Sequence, residues 1–156
     1  VTNLDRLAEL IDERDVLDTV YRFAAGMDLR DWVAYRAVFA DEIVLDYTSY
    51  RGGEPVTVTA DSWVERVQRR FATMIATQHS LTNARVELDG PDDALCQTYV
   101  QAMHVAVIDG IEEWCLIGGE YRDRLHRTPE GWRITAKVLG LRWTIGNKAV
   151  LDLPQT

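Results

Sequence analysis

Ala94 to Ile108 reads ALCQTYVQAMHVAVI, and its two-residue period decides the fold class. Ala94, Cys96, Val100, Ala102, His104 and Ala106 fall on one face of an extended strand, with Gln97, Tyr99 and Gln101 on the other. The run is too long for a flat strand, so it predicts one that bends with its sheet.

Downstream, Trp114 to Arg127 and Trp132 to Thr144 predict two further long strands, joined by a turn through Pro129, Glu130 and Gly131. In the first, Cys115, Ile117, Gly119, Tyr121 and Leu125 are the more apolar set, which turns Tyr121 inward and Arg122, Arg124 and His126 outward. Upstream, Gln78 to Leu88 predicts a strand ending in the turn Asp89-Gly90-Pro91-Asp92. The first third reads differently. Leu7, Leu10, Ile11, Leu17, Val20, Tyr21 and Ala24 recur at helical intervals and predict a helix to about Met27. Asp31 is a candidate cap for a second helix with Trp32, Tyr35, Val38 and Phe39 on its inner face. Ile43 to Tyr50 alternates as a strand that turns Tyr47 inward; Arg51 to Gly53 form a turn, and Pro55 to Thr59 a short strand. Ser62 and Glu65 resemble a capping box for a third helix bearing Trp63, Val67, Phe71, Met74 and Ile75. Helices followed by long strands define an α+β fold: a strongly curved, mixed or antiparallel sheet wrapped around N-terminal helices as a cone with a pocket, in one domain over 1–156.

Lysine and arginine number 17 against 25 acidic residues, a net charge of -8. That balance repels phosphate backbones and anionic membrane surfaces, so neither nucleic acid nor membrane is an expected partner. No apolar run approaches the roughly 20 residues of a membrane span, and the amino terminus lacks a secretory signal pattern. The expected location is the cytoplasm. Cys96 and Cys115 lack metal-type spacing and read as reduced, buried thiols.

Against this frame a few polar residues stand out. Ile75 to Asn83, IATQHSLTN, places His79 in a strand-like run, and His104 lies among small apolar side chains. Asp28 follows Ala24 by four residues and Tyr21 by seven, which puts its carboxylate on the helix's buried stripe; the competing reading makes it a helix-end or capping residue. Tyr21 shares that stripe and is a candidate for the pocket wall, with core packing as the alternative. The parity of His79 and Leu81 is opposite to that of Val86 and Leu88, so a bulge between them is required for all four to face inward.

Met27-Asp28-Leu29-Arg30-Asp31-Trp32, Leu45-Asp46-Tyr47, Thr77-Gln78-His79, Gly131-Trp132-Arg133-Ile134 and Leu141-Arg142-Trp143 occur in this order over most of the chain. Together they resemble the SnoaL-like branch of the nuclear transport factor 2-like superfamily, and within it the scytalone dehydratases. The resemblance implies that Asp28 and His79 are a catalytic pair, that Tyr47 helps polarise a substrate carbonyl, and that His104 is a second pocket histidine. It also implies a cone-shaped fold and the use of no cofactor. Three departures bear on the substrate. Met27 stands where those enzymes have a tyrosine, Gly119 and Tyr121 stand where they have a serine and an asparagine, and a tail from Gly146 to Thr156 replaces a long lid. Met27, Gly119, Tyr121 and Tyr21 are therefore the candidate substrate-binding residues.

The expected activity is dehydration of a small, hydrophobic, cyclic hydroxy-carbonyl compound of aromatic or polyketide-like character. Isomerisation or polyketide cyclisation by the same proton-transfer pair is the near alternative, and a non-catalytic binding module the more distant one. Asp28, His79 and His104 could also form a two-histidine, one-carboxylate iron site, although intervals of 51 and 25 residues match no compact metal motif. Self-association as a dimer or trimer is expected, since relatives form both and a curved sheet leaves an outer face to cover.

Overall fold

In the computed structural model, which describes residues 2–152, the Thr2 hydroxyl accepts from the Asp5 amide (3.1 Å) and the Asp5 carboxylate from the Thr2 amide (2.7 Å). This reciprocal cap starts helix α1, Asn3–Asp28, a turn before the apolar stripe does. Leu7, Leu10 and Ile11, read above as inner positions, are each more than half exposed. The helix outruns the core, and only from Val16 onward is its inner face buried.

Asp31 caps α2, Trp32–Ala37, by accepting from the Ala34 amide (2.9 Å). The two helices meet at Gly26, where a Cβ would lie 2.9 Å from the Tyr35 amide nitrogen, so this approach requires glycine. Strand β1, Phe39–Asp46, stops short of the predicted Tyr50. The Asp46 carboxylate accepts from both the amide and the hydroxyl of Thr48 (3.0 and 2.6 Å), a local turn that diverts the chain into the one-turn helix α3, Thr48–Arg51. Tyr47 sits at that corner. After β2, Val56–Thr59, helix α4 runs Ala60–Phe71. Its cap is Thr59, which accepts from the Ser62 amide (3.3 Å); Ser62, the predicted cap, instead donates to the Thr59 carbonyl. Ile75 falls beyond this helix and is exposed.

Four long strands follow: β3, Ala76–Asp89; β4, Asp93–Ile108; β5, Ile111–Thr128; and β6, Gly131–Gly146. The sheet order is β2-β1-β6-β5-β4-β3, antiparallel throughout except for the parallel β1–β6 pair. It is therefore mixed, as expected, and open, with β2 and β3 as its edges. On β4 every even-numbered residue from Ala94 to Ala106 is buried, which gives the sheet its inner face. Bulges bend the strands between Thr82 and Arg85 on β3, and on β6 at Arg142, opposite Gly118 and Gly119, and at Thr135, opposite Arg124 and Leu125. The C-terminal half of α1 packs on this face against β3, β4 and β6.

The tail turns through a 3-10 helix, Lys148–Asp152, that buries Val150 and Leu151. Residues 153–156 of the expected lid remnant, like Val1, lie outside the described residues. Among the described residues, no helix is long and apolar enough to cross a membrane.

Candidate active site

Asp28 is the last residue of α1, whose final turn carries no basic side chain. A carboxylate at a helix C-terminus opposes the helix dipole, so it needs compensation. Three contacts from β3 supply it. The Thr77 hydroxyl donates to Oδ1 (2.9 Å), the His79 amide donates to Oδ2 (2.6 Å), and His79 Nδ1 lies 2.7 Å from Oδ1. Because β3 is an edge strand, the His79 amide is free to bond outside the sheet, and Asp28 takes it. Arg30, in the left-handed region at φ 60°, turns back to donate to the Met27 carbonyl (2.7 Å) and the Thr77 hydroxyl (2.8 Å). The end of α1 is thus fastened to β3 around one carboxylate.

This arrangement fixes the histidine. With Nδ1–H donating to Asp28, the basic nitrogen of neutral His79 is Nε2. Its side chain is only 4% exposed. The ring stacks on Phe71 at 6.2 Å and meets His104 edge to face at 5.5 Å. Burial works to raise the Asp28 carboxyl, but hydrogen bonds and charge from His79, with the Thr77 bond, outweigh it and hold the group below the usual carboxylate range. Burial, reinforced by the charge of His79, pushes His104 down to about 4. His104 is therefore neutral near pH 7, and its buried Nδ1 has no hydrogen-bond partner among the described residues.

His79 and His104 open onto a cavity of about 230 Å³. Phe23, Leu45, Trp63, Val67, Ile117 and Leu139 make much of its wall apolar, and Leu151 from the tail also lines it. Tyr47 and Tyr121 line it as well, and neither hydroxyl has a hydrogen-bond partner among the described residues. Burial first, and then neighbouring negative charge, raises both phenols, so each remains a protonated donor. Met27 lines the cavity too.

Of the residues singled out from sequence, Asp28, His79, His104, Tyr47, Met27 and Tyr121 come together here. Two do not. Tyr21 is 38% exposed and off the cavity, because α1 has rotated it past the buried stripe. Gly119 is likewise absent from the lining; a Cβ there would collide with the Gly140 carbonyl oxygen, so it serves the close contact of β5 with β6. Sequence reasoning missed Thr77, Arg30 and Phe71 as supports of the pair. Thr77 had a readable signal, since it shares the strand parity of His79 two residues on. Asp123 was also missed, although it shares parity with Tyr121 and Leu125: it is fully buried and bonded to buried Lys137 (2.8 and 2.9 Å). Among the described residues no group of three or more His, Cys, Asp or Glu side chains is placed to hold a metal ion.

The SnoaL-like domain family matches residues 8–138, most of the chain. The chain belongs to the SnoaL-like family. Similar solved structures share its fold. The Kfla4162 protein of Kribbella flavida is 25% identical, with a TM-score of 0.85 over 93% of this chain and 99% of that one. A protein assigned as a scytalone dehydratase from Novosphingobium aromaticivorans is 15% identical, with a TM-score of 0.77 over 89% of each chain. The hexachlorocyclohexane dehydrochlorinase LinA-type3 of Novosphingobium barchaimii is 18% identical, with a TM-score of 0.72 over 94% of each. At these identities the last two likenesses show the fold alone. This SnoaL-like protein shares with them a nuclear transport factor 2-like architecture, so its chemistry must be argued from its own side chains.

Proposed function

We propose that the protein is a cofactor-independent lyase that eliminates water from a small cyclic hydroxy-carbonyl compound of aromatic or polyketide-like character. The observation that carries this reading is the Asp28–His79 hydrogen bond of 2.7 Å at the wall of an apolar cavity lined by two unengaged phenols. An imidazole removes a proton from carbon when it is oriented and made more basic by a carboxylate on its other nitrogen. His79 Nε2 takes the proton next to the carbonyl, and the electron pair of that C–H bond becomes the enolate. Tyr47 and Tyr121 donate to the oxygen where this charge develops, the kind of stabilisation typically worth about 3 kcal/mol per donor. The enolate then collapses, the C–O bond to the leaving hydroxyl breaks, and His79 returns the proton so that water departs. Neutral His104, beside His79, holds the leaving oxygen. Tyr121, which lines the cavity together with Met27, supplies the second hydroxyl that Met27 lacks.

The comparisons support elimination as a class: one similar structure is assigned as a scytalone dehydratase and another is a dehydrochlorinase. Both names describe loss of a small molecule, water in one case and hydrogen chloride in the other. Incubation with a panel of cyclic β-hydroxy ketones, followed by mass spectrometry, tests the reading. The expected product is lighter than its substrate by one water. Asp28→Asn and His79→Gln are each expected to lower turnover by about 10²–10⁴-fold. Full turnover in both variants overturns the mechanism. A product of unchanged mass assigns the same pair to isomerisation or cyclisation, and ligand binding without any conversion assigns the pocket to a binding module.

A further inference from the structure

Helix α4 presents two kinds of side chain to the cavity. Trp63, Val67 and Phe71 form an apolar stripe, and Arg66 and Arg70 lie beside it one turn apart, both lining the mouth. Like charges at this spacing repel along a helix, so the pair opposes helix stability. Outer-face Arg69 is treated differently, since it pairs with Glu65 four residues earlier. A third guanidinium, Arg51 at the end of α3, lines the same mouth.

Tyr50 organises this group. Arg70 donates to its hydroxyl (3.1 Å), and the Arg51 guanidinium lies 5.0 Å from its ring centroid. Among the described residues, none of the three arginines forms an ion pair, although Glu54 also lines the mouth and Asp152 lies in the field of Arg70. Arg70 is half-buried, and a guanidinium offers five N–H donors, of which one is used here. On a chain of net charge -8, three cations with no ion-pair partner among the described residues at the entrance of one cavity are a local reversal of the field.

We propose that the cavity mouth is an anion-recognition subsite, in which Arg70, flanked by Arg66 and Arg51, binds a carboxylate or phosphate group borne by the substrate. Both groups match the planar guanidinium fork. The ring of that substrate lies inward against His79 and Phe71, a placement that rests on the lyase reading above; the anion site itself does not. The substrate class narrows accordingly, from a neutral cyclic compound to a cyclic acid or phosphate ester whose charge stays at the mouth.

Calorimetric titration of the full chain with 2-naphthoate, 2-naphthyl phosphate and neutral 2-naphthamide tests this. At least one anion is expected to bind about tenfold or more tightly than the amide, and the tighter of the two identifies the group. Arg70→Met is expected to remove that preference while leaving amide binding unchanged, and Arg70→Lys to keep part of it. Arg66→Met, at an exposed position where folding is not at stake, is expected to remove a smaller share. The preference should persist in His79→Gln, so failure of the elimination reading and failure of the anion site are separately visible. Equal binding of amide and both anions, no binding of either anion, or an unchanged preference in a folded Arg70→Met protein overturns the proposal.

Discussion

Burying His104 against Phe71 and His79 penalises its charged form, and that penalty makes folding depend on pH. The unfolded imidazole titrates near 6.5 and the folded one at about 4, so between these values the unfolded chain binds more protons. Stability is then unaffected by His104 above about pH 6.5 and falls as the pH drops towards 4, by about 3 kcal/mol at the limit. Asp28 works in a different window. Its folded pKa is depressed, so its contribution is present above the ordinary carboxylate value of 3.8 and is lost only as the pH falls below that. Urea midpoints measured from pH 7 to pH 4.5 should decline in the parent, and His104→Asn should flatten the decline; an equal slope in both places the acid sensitivity elsewhere. His79 and His104 were legible in the sequence because an imidazole in an apolar run stands out. Arg70 was not, since an arginine on a helix reads as solvated until α3 brings Tyr50 against it.

At the scale of elements, the bulge on β3 decides whether the site exists. Thr77, His79 and Leu81 face inward before it, and Val86 and Leu88 after it, although the two sets have opposite parity. Asn83, at φ 52°, takes the conformation that lets the register slip between Thr82 and Arg85. Asparagine tolerates that region and a β-branched residue does not. Asn83→Val should therefore cost ~1–2 kcal/mol, and Asn83→Gly should stay within about 0.5 kcal/mol of the parent, both read from urea unfolding. Equal losses in both variants would mean that the Asn83 side chain, rather than its backbone angle, holds the bulge. The sequence disclosed this bulge through conflicting parity, and it disclosed the long strands through simple alternation. It misplaced the end of β1 because the Asp46–Thr48 turn is stronger than the alternation running through it. It misjudged the start of α1 because periodicity marks an amphipathic face whether or not the sheet extends beneath it, as exposed Leu7 and Leu10 show.

Across the whole molecule, the helix layer and the sheet meet at a buried ion pair. Lys137 on β6 bonds Asp123 on β5, and its Nζ lies 3.8 Å from the ring centroids of Phe23 on α1 and Tyr121 on β5. Both rings line the cavity, so the pair stands directly behind the pocket wall. Burial raises the Asp123 carboxyl and lowers the Lys137 amine, each despite the opposite charge of its partner. Both directions mean that the fold disfavours the ionised forms relative to water, so the pair opposes stability near neutral pH while fixing where Phe23 and Tyr121 stand. Removing one partner strands a buried charge: Lys137→Met or Asp123→Leu alone should cost about 3–5 kcal/mol. The double variant removes the desolvation cost together with the pair, and its urea midpoint should return to that of the parent or rise by about 1–4 kcal/mol. A double variant as unstable as either single one would instead make the pair a net source of stability, with the cation's contact to the two rings as the reason. If stability returns while turnover of the cyclic hydroxy ketone falls, the pair is retained for the shape of the pocket wall, where Tyr121 stands, rather than for the strength of the fold.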